Sequence, residues 1–203
     1  MDDFRRRIVS EEGCFATTFE RRYYKKTDIF VKRSLRESEY RTGYRGLHIP
    51  KLGKERLRNE VASLDFIHKI TNVPVPQLYD HFEYNGASYV ALEYVEGANM
   101  ADLCENQKKA VNSEIDTHLI TMHNLTSSKI GGPSGIIIPP YRILGKIEDQ
   151  MWNPPTKDCA YIFCHMDLSQ HNIIEDSVTL KIKTIIGSNT RAFGLCNLSA
   201  VFI

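Results

Sequence analysis

The residues able to do chemistry are concentrated in one stretch, Tyr161 to Asn172, YIFCHMDLSQHN. An apolar run, Tyr161, Ile162, Phe163 and Cys164, leads into a polar loop with His165, Asp167, Ser169, Gln170, His171 and Asn172. Apolar residues resume at Ile173 and Ile174. The pattern predicts a polar loop between two short buried strands, a common setting for catalytic residues on a rigid scaffold. Asp167 and Asn172 are spaced D-x-x-x-x-N, with His165 two residues ahead of the aspartate. A carboxylate at 167 can take the proton of an attacking hydroxyl, and an amide oxygen at 172 can hold magnesium beside phosphates. D-x-x-x-x-N alone arises often by chance; H-x-D-x-x-x-x-N between two apolar strands is much more specific.

Other elements must bring a nucleotide to that loop. Residues 8 to 35 read as strand-rich, with Cys14 to Phe19, Tyr23-Tyr24 and Asp28 to Arg33 as the extended runs. Lys32 ends an apolar strand, where it can be held at the edge of a cleft. In KLGKERLRNEVASLDFIHKI, residues 51 to 70, Leu57, Val61, Leu64, Ile67 and Ile70 recur at helical spacing. Glu60 follows Leu57 by three residues and precedes Leu64 by four, so it points along the apolar stripe. A carboxylate there needs a partner, and Lys32 is the natural one: in kinases a strand lysine and a helix glutamate form such a pair and orient the phosphates. Val73-Pro-Val-Pro76 ends the helix. His81 to Tyr84, Asn85-Gly86 and Ser88 to Tyr94 read as a hairpin whose Asn-Gly turn supplies positive backbone angles. Glu93 to Gly97 then serves as a linker with backbone groups free to bind adenine, Glu93 and Val95 among them.

Ser34 to Gly53 is basic and irregular, and reads as an ordered insertion or loop without a nucleic-acid-binding signature. Met100 to Asn106 begins a helical region that Ala110 to Asn124 continues, with Val111, Ile115, Leu119 and Met122 as its buried face and His118 and His123 as packing or surface residues. Ser127 to Pro155 is loop-rich, and Ile136 to Ile138 and Trp152 are expected to be buried in it. Leu180, Ile182 and Ile186 alternate with Lys181 and Lys183, one face in and one out. The 203 residues carry a formal net charge of +1, so no bulk field points to nucleic acid or membrane. No apolar run is long enough to span a bilayer. The five cysteines are odd in number and form no C-x-x-C, which reads as reduced thiols in a cytosolic or nuclear protein, with a cytoplasmic location expected. Cys159 and Cys164 are the only pair arguable as metal ligands, and Cys164 belongs to a core-strand pattern.

Taken together, VKRSLRESEYRTGYRGLHIPKLGKERLRNE, VPVPQLYDHFEYNGASYVALEYVEG, SSKIGGPSGIIIPPYR and YIFCHMDLSQHNII resemble the aminoglycoside phosphotransferase and choline kinase-like family, especially its fungal members. The resemblance runs from about Lys32 to Ile186. It implies an α+β, protein-kinase-like two-lobed fold. Residues 1–96 would form a strand-rich lobe with one long helix, 97–186 a partial helical lobe with the catalytic loop, and 187–203 a tail outside the family pattern. It implies an ATP-dependent phosphotransferase with a small-molecule hydroxyl acceptor. Asp167 would be the base, Lys32 would hold phosphate, Glu60 would pair with it, and Asn172 would ligate Mg²⁺. The family's second hairpin strand ends in a metal-binding aspartate; here Ile185-Ile186 is followed by Gly187-Ser188-Asn189, and sixteen residues remain after Gly187. Glu175 or Asp176 could substitute, but both sit on the far side of the strand turn. The resemblance therefore implies an incomplete Mg²⁺ site, a C-terminally truncated lobe and impaired catalysis, with a non-catalytic nucleotide- or partner-binding fragment as the alternative.

Overall fold

The computed structural model describes residues 1–139, 144, 160–187 and 191–194. Trp152, Cys159, Cys196 and the prolines at 140, 154 and 155 lie outside them. The chain begins with a short helix, α1 (Asp3–Val9), capped by the Asp2 carboxylate, which accepts from the Arg5 amide at 2.8 Å. An antiparallel five-stranded sheet follows: β1 (Cys14–Thr17), β2 (Arg21–Lys26), β3 (Ile29–Ser34), then β6 (Leu78–Tyr84) and β7 (Ala87–Glu93), in the order β1-β2-β3-β7-β6. Between β3 and β6 come a small ribbon, β4 (Arg41–Gly43) with β5 (Gly46–His48), and helix α2 (Gly53–Ile70). The stretch read from sequence as an irregular insertion is thus partly a hairpin.

Strand alternation splits the sheet between two cores. Tyr89 and Ala91 of β7 join Ile8 of α1, Tyr24, Ile29 and Val31 on one face. Val90 and Leu92 face the other way, onto Leu57, Leu64 and Ile67 of α2. The β6–β7 turn is the expected one: Asn85 and Gly86 both have positive φ, 46° and 76°, the combination a two-residue turn of this hand requires.

The second core continues into the rest of the chain. After β8 (Ala98–Asn99) and a 3-10 turn over Met100–Asp102, helix α3 (Glu105–His123) buries Val111, Ile115 and Met122. Burial disfavours the charged forms of His118 and His123, as packing histidines require. Two small sheets complete the description. One is β8-β11-β12, with β11 (Ile173–Glu175) and β12 (Ile182–Ile185). The other joins β9 (Thr126–Ser127), β10 (Tyr161–His165) and β13 (Arg191–Gly194), with β10 central. Phe163, Ile173 and Ile185 sit in the same core as Leu57 and Val90, so the loop between β10 and β11 hangs from two buried strands. Part of the tail expected to lie outside the pattern pairs with β10, and Phe193 packs 5.1 Å from the Phe163 ring and 5.7 Å from Phe66 of α2. Cys164 is buried in β10. Ile138 is buried and Ile137 is exposed, so the 136–138 run is only partly core. Among the described residues no helix is long and apolar enough to cross a membrane.

Candidate active site

Strand β3 places Lys32 on the face that α2 covers, opposite Tyr23 of β2 and Val90 of β7. Lys32 is 6% exposed and Glu60 is fully buried; Lys32 Nζ lies 2.5 Å from Glu60 Oε1. The helical phase that turns Leu57 and Leu64 inward turns Glu60 inward too. The helix is fixed next to this point: Ser134 Oγ donates to Asn59 Oδ1 at 2.9 Å, and Gly132 lies so close to Asn59 that an added Cβ would fall 1.5 Å from the same oxygen.

After β7 the chain narrows to a linker. The amides of Glu93 and Tyr94 are not free, as the sequence reading had them: they donate to the carbonyls of Gln77 and Asp28, each at 2.8 Å. Among the described residues the Val95 amide has no such partner. Only part of the linker's backbone is therefore open to a ligand.

The loop from His165 to Asn172 is cross-braced. The Asp167 amide donates to His165 Nδ1 at 3.3 Å, and His165 Nε2 lies 2.9 Å from the Ile186 carbonyl oxygen. A neutral ring protonated at Nε2 satisfies both contacts. Asn172 Nδ2 donates to the Asp167 carbonyl oxygen at 2.6 Å, and the Ile186 amide donates to the Asn172 carbonyl oxygen at 2.8 Å. His165 thus locks the end of β12 to the loop, and Asn172 is turned so that its amide nitrogen is committed.

Lys32, Glu60, Glu93, Val95, Asp167 and Asn172 all line a single cleft of about 370 Å³. Leu92, Pro76 and Ile174 give it apolar walls, and Tyr23 and Phe30, ring centroids 6.1 Å apart, flank Lys32. The sequence reading missed Tyr23, Phe30 and Arg21. Arg21, two residues before Tyr23 on the same face of β2, is 1% exposed, and its Nη1 lies 3.8 Å from Glu60 Oε2. Strand alternation would have found it once β2 was placed beside β3.

Among the described residues the donor set does not fit Mg²⁺. A hard cation of that size takes oxygen ligands in near-octahedral array, with carboxylates supplying the charge. Gly187 lines the cleft at the end of β12 and brings no side chain. Its φ is +80°, and an added Cβ would lie 2.9 Å from the Asn172 side chain. Ile174 faces the cleft, so its neighbour Glu175 faces away from it, fully buried, with no hydrogen-bond partner for either oxygen among the described residues. Burial raises the Glu175 pKa, and the Asp102 charge raises it further. Asp176 is spent on the following turn, accepting from the amides of Val178 and Thr179. Among the described residues no three His, Cys, Asp or Glu side chains cluster for a metal.

No family model matches the sequence, and no curated protein matches it. Solved structures do. The chain is similar to the GDP complex of an aminoglycoside 2′-phosphotransferase IIIa mutant, with TM-score 0.61 and 12% identity, over 92% of this chain and 69% of that one. It is similar to the streptomycin–ATP–APH(2″)-IIa ternary complex, with TM-score 0.60 and 12% identity, over 97% and 71%. A third is aminoglycoside 3′-phosphotransferase of type VIII, with TM-score 0.54 and 16% identity, over 91% and 72%. The chain has the kinase-like fold of the aminoglycoside phosphotransferases. At these identities the likeness is one of fold, and the kinase-like architecture accounts for a cleft bounded by a strand-rich sheet, α2 and the braced loop.

Proposed function

We propose that the cleft binds ATP and is by descent the site of an ATP-dependent phosphotransferase acting on a small-molecule hydroxyl acceptor, impaired in this chain. The observation that carries this reading is that a strand lysine, a helix glutamate, a linker and the H-x-D-x-x-x-x-N loop, far apart in sequence, converge on one cleft of about 370 Å³. Adenine would lie between Leu92 and Ile174, with the Val95 amide and the Glu93 carbonyl at its edge. Lys32, held by Glu60, would meet the phosphates. Asp167 would take the proton of the acceptor hydroxyl, and the brace through Asn172 and His165 would fix its direction. The ATP bound in the ternary complex of one structural neighbour supports the choice of nucleotide.

Mg²⁺, when bound in a site of this kind, neutralises charge on the transferred phosphoryl, worth several kcal/mol. Each ~1.4 kcal/mol forgone is about tenfold in rate. Asn172 is the one expected ligand present, so turnover falls far below a working kinase. That observation favours a second reading of the same site, nucleotide binding without phosphoryl transfer.

The test is thermal melting with increasing ATP, alongside a phosphoryl-transfer assay on a panel of aminoglycosides and simple alcohols. A ligand held only by the folded state stabilises it by mass action, about 2.7 kcal/mol at one hundred times Kd. The expected result is an ATP-dependent rise in Tm, abolished in K32M, with transfer slow or absent. A folded wild-type chain with no shift at millimolar ATP would refute the reading.

A further inference from the structure

We propose that Thr184 reads the base of the bound nucleotide, its hydroxyl donating to N7 and so selecting purines over pyrimidines. The inference rests on the nucleotide reading of the cleft and names the atom of the base that the cleft recognises.

A buried hydroxyl without a partner is costly, because it has given up water and gained no hydrogen bond in exchange. Thr184 is 1% exposed, and its Oγ1 has no hydrogen-bond partner among the described residues. It lines the cleft. Of the other residues with a buried polar atom in this state, Glu60 also lines the cleft, but its carboxylate is in ion pairs with Lys32 and Arg21. The rest, Glu175 and Ser88 among them, do not line it. Valine would fill the space at 184 without that cost, so a hydroxyl here points to a ligand.

Its place in the floor decides what it can meet. Thr184 of β12 stands opposite Ile174 of β11, so the two side chains share a face, about 5 Å apart at Cβ. Ile186, two residues on, lines the cleft as well. In the sheet order β8-β11-β12, Ile174 borders the linker: its Cγ2 lies 2.7 Å from where a Cβ on Gly97 would stand. Thr184 is one strand deeper. Behind it the Ile185 amide donates to the Pro74 carbonyl oxygen at 2.9 Å, which brings β12 against the segment that ends at Pro76, part of the cleft wall. Between two isoleucines, then, the floor has one hydroxyl, and it belongs to the inner end, away from the Val95 amide.

Adenine would give its N1 acceptor and N6 amine to the amide and carbonyl of the linker. That orientation turns the five-membered ring, with its N7 acceptor, toward the inner end. A threonine hydroxyl has one proton to donate, and a single staggered step about χ1 exchanges it with the methyl, so it can present that proton to N7. Guanine carries N7 as well, and pyrimidines have no such atom, so the contact separates the two classes of base.

The experiment is calorimetric titration of the full chain with ATP, with CTP and with 7-deaza-ATP, in which a C–H replaces N7. One neutral hydrogen bond is at stake, about fivefold in affinity. The wild type should bind ATP about fivefold more tightly than 7-deaza-ATP, and CTP more weakly than either. T184V should bind ATP about fivefold more weakly than wild type does, and ATP and 7-deaza-ATP within about twofold of each other. T184S should keep the wild-type preference. Without nucleotide T184V should melt at or above the wild-type temperature, because it loses a group that nothing in the fold satisfies; a purely structural threonine would give the opposite. Equal wild-type affinity for ATP and 7-deaza-ATP, CTP binding as tight as ATP, a preference for ATP retained in T184V, or a clear fall in its Tm would each overturn the inference and leave the nucleotide reading standing. The comparison of nucleotides on the wild type does not depend on how any variant folds. A folded wild type that binds none of the three would overturn both.

Discussion

Replacing Glu60 with glutamine tests the centre of the site by stability, independently of any activity. The side chain keeps its shape and loses its charge, which takes from the buried Lys32 and Arg21 cations the carboxylate they share. Removing one partner from a buried ion pair costs about 3–5 kcal/mol, because the remaining charge is left uncompensated. A domain is stable by only about 5–15 kcal/mol. At about 2–4 °C per kcal/mol for a chain of this size, the melting point should fall by roughly 6–20 °C. The contrast that isolates burial is Lys69–Asp65, an ion pair of similar length at 2.7 Å, with side chains 70% and 53% exposed. Its removal should cost about 0.5 kcal/mol or less. Urea unfolding followed by circular dichroism reads both variants, and the triple variant R21M/K32M/E60L should return most of the lost stability, since apolar packing often matches a buried ion pair. If E60Q unfolds within about 1 kcal/mol of wild type, Glu60 is not the desolvated partner of Lys32 described above.

Three further outcomes follow from particular contacts. F193A removes a partly buried ring packed on Phe66 and Phe163 and should destabilise by about 2–3 kcal/mol in urea unfolding; a change under about 0.5 would mean that β13 adds nothing to the fold. Glu175 has its pKa raised by burial and by Asp102, so the folded state holds its proton more tightly than the unfolded one. Its contribution is fully present below the ordinary value of 4.5 and declines as pH rises through the folded value. E175Q should therefore be more stable than wild type at pH 7 and lose part of the decline in stability above pH 4.5; identical pH profiles of unfolding for the two proteins would contradict this. In G132A the new methyl meets Asn59, so the loop over α2 must move. The expected cost is about 1–3 kcal/mol, with faster amide hydrogen exchange in α2 near Asn59 and Glu60, and unchanged exchange there would show that the loop does not hold the helix.

The parts of the site legible in sequence are those fixed by local period. Lys32 alternates with Val31 and Arg33, Glu60 shares a helical phase with Leu57 and Leu64, and Asp167 and Asn172 belong to one short loop. Each needed only the geometry of its own element. Arg21 was hidden because its meaning depends on a register, Arg21 against Ser34 and Tyr23 against Lys32, and on a carboxylate with a second oxygen to share. The role of 191–194 was hidden for a similar reason: RAFG has no strand signature of its own and becomes a strand by pairing along β10. Helix α1 is seven residues long, too short to show an apolar stripe, and is held by docking Ile8 under the sheet and by Arg5 Nε 2.7 Å from Asp80 Oδ2. The linker was half legible: its place was readable from the hairpin before it, but which amides remain open depends on Gln77 and Asp28, distant in sequence from Val95.

Gly187 shows how the architecture can hold without a side chain at the end of β12. The contacts that shape the loop are made by His165, Asn172 and the backbone of Ile186, and none of them passes through the side chain at 187. A carboxylate there would serve a cation and nothing in the fold, so its absence leaves the brace intact. The converse is less forgiving. With φ at +80° and the Asn172 side chain 2.9 Å from where a Cβ would stand, an aspartate is strained there and Asn172 must shift. Because Asn172 also braces Asp167, the strain of that insertion would be felt at Asp167 as well as at residue 187. The G187D variant should therefore be less stable than wild type, by about 1–3 kcal/mol in urea unfolding; a change under about 0.5 kcal/mol would show that Asn172 yields without cost.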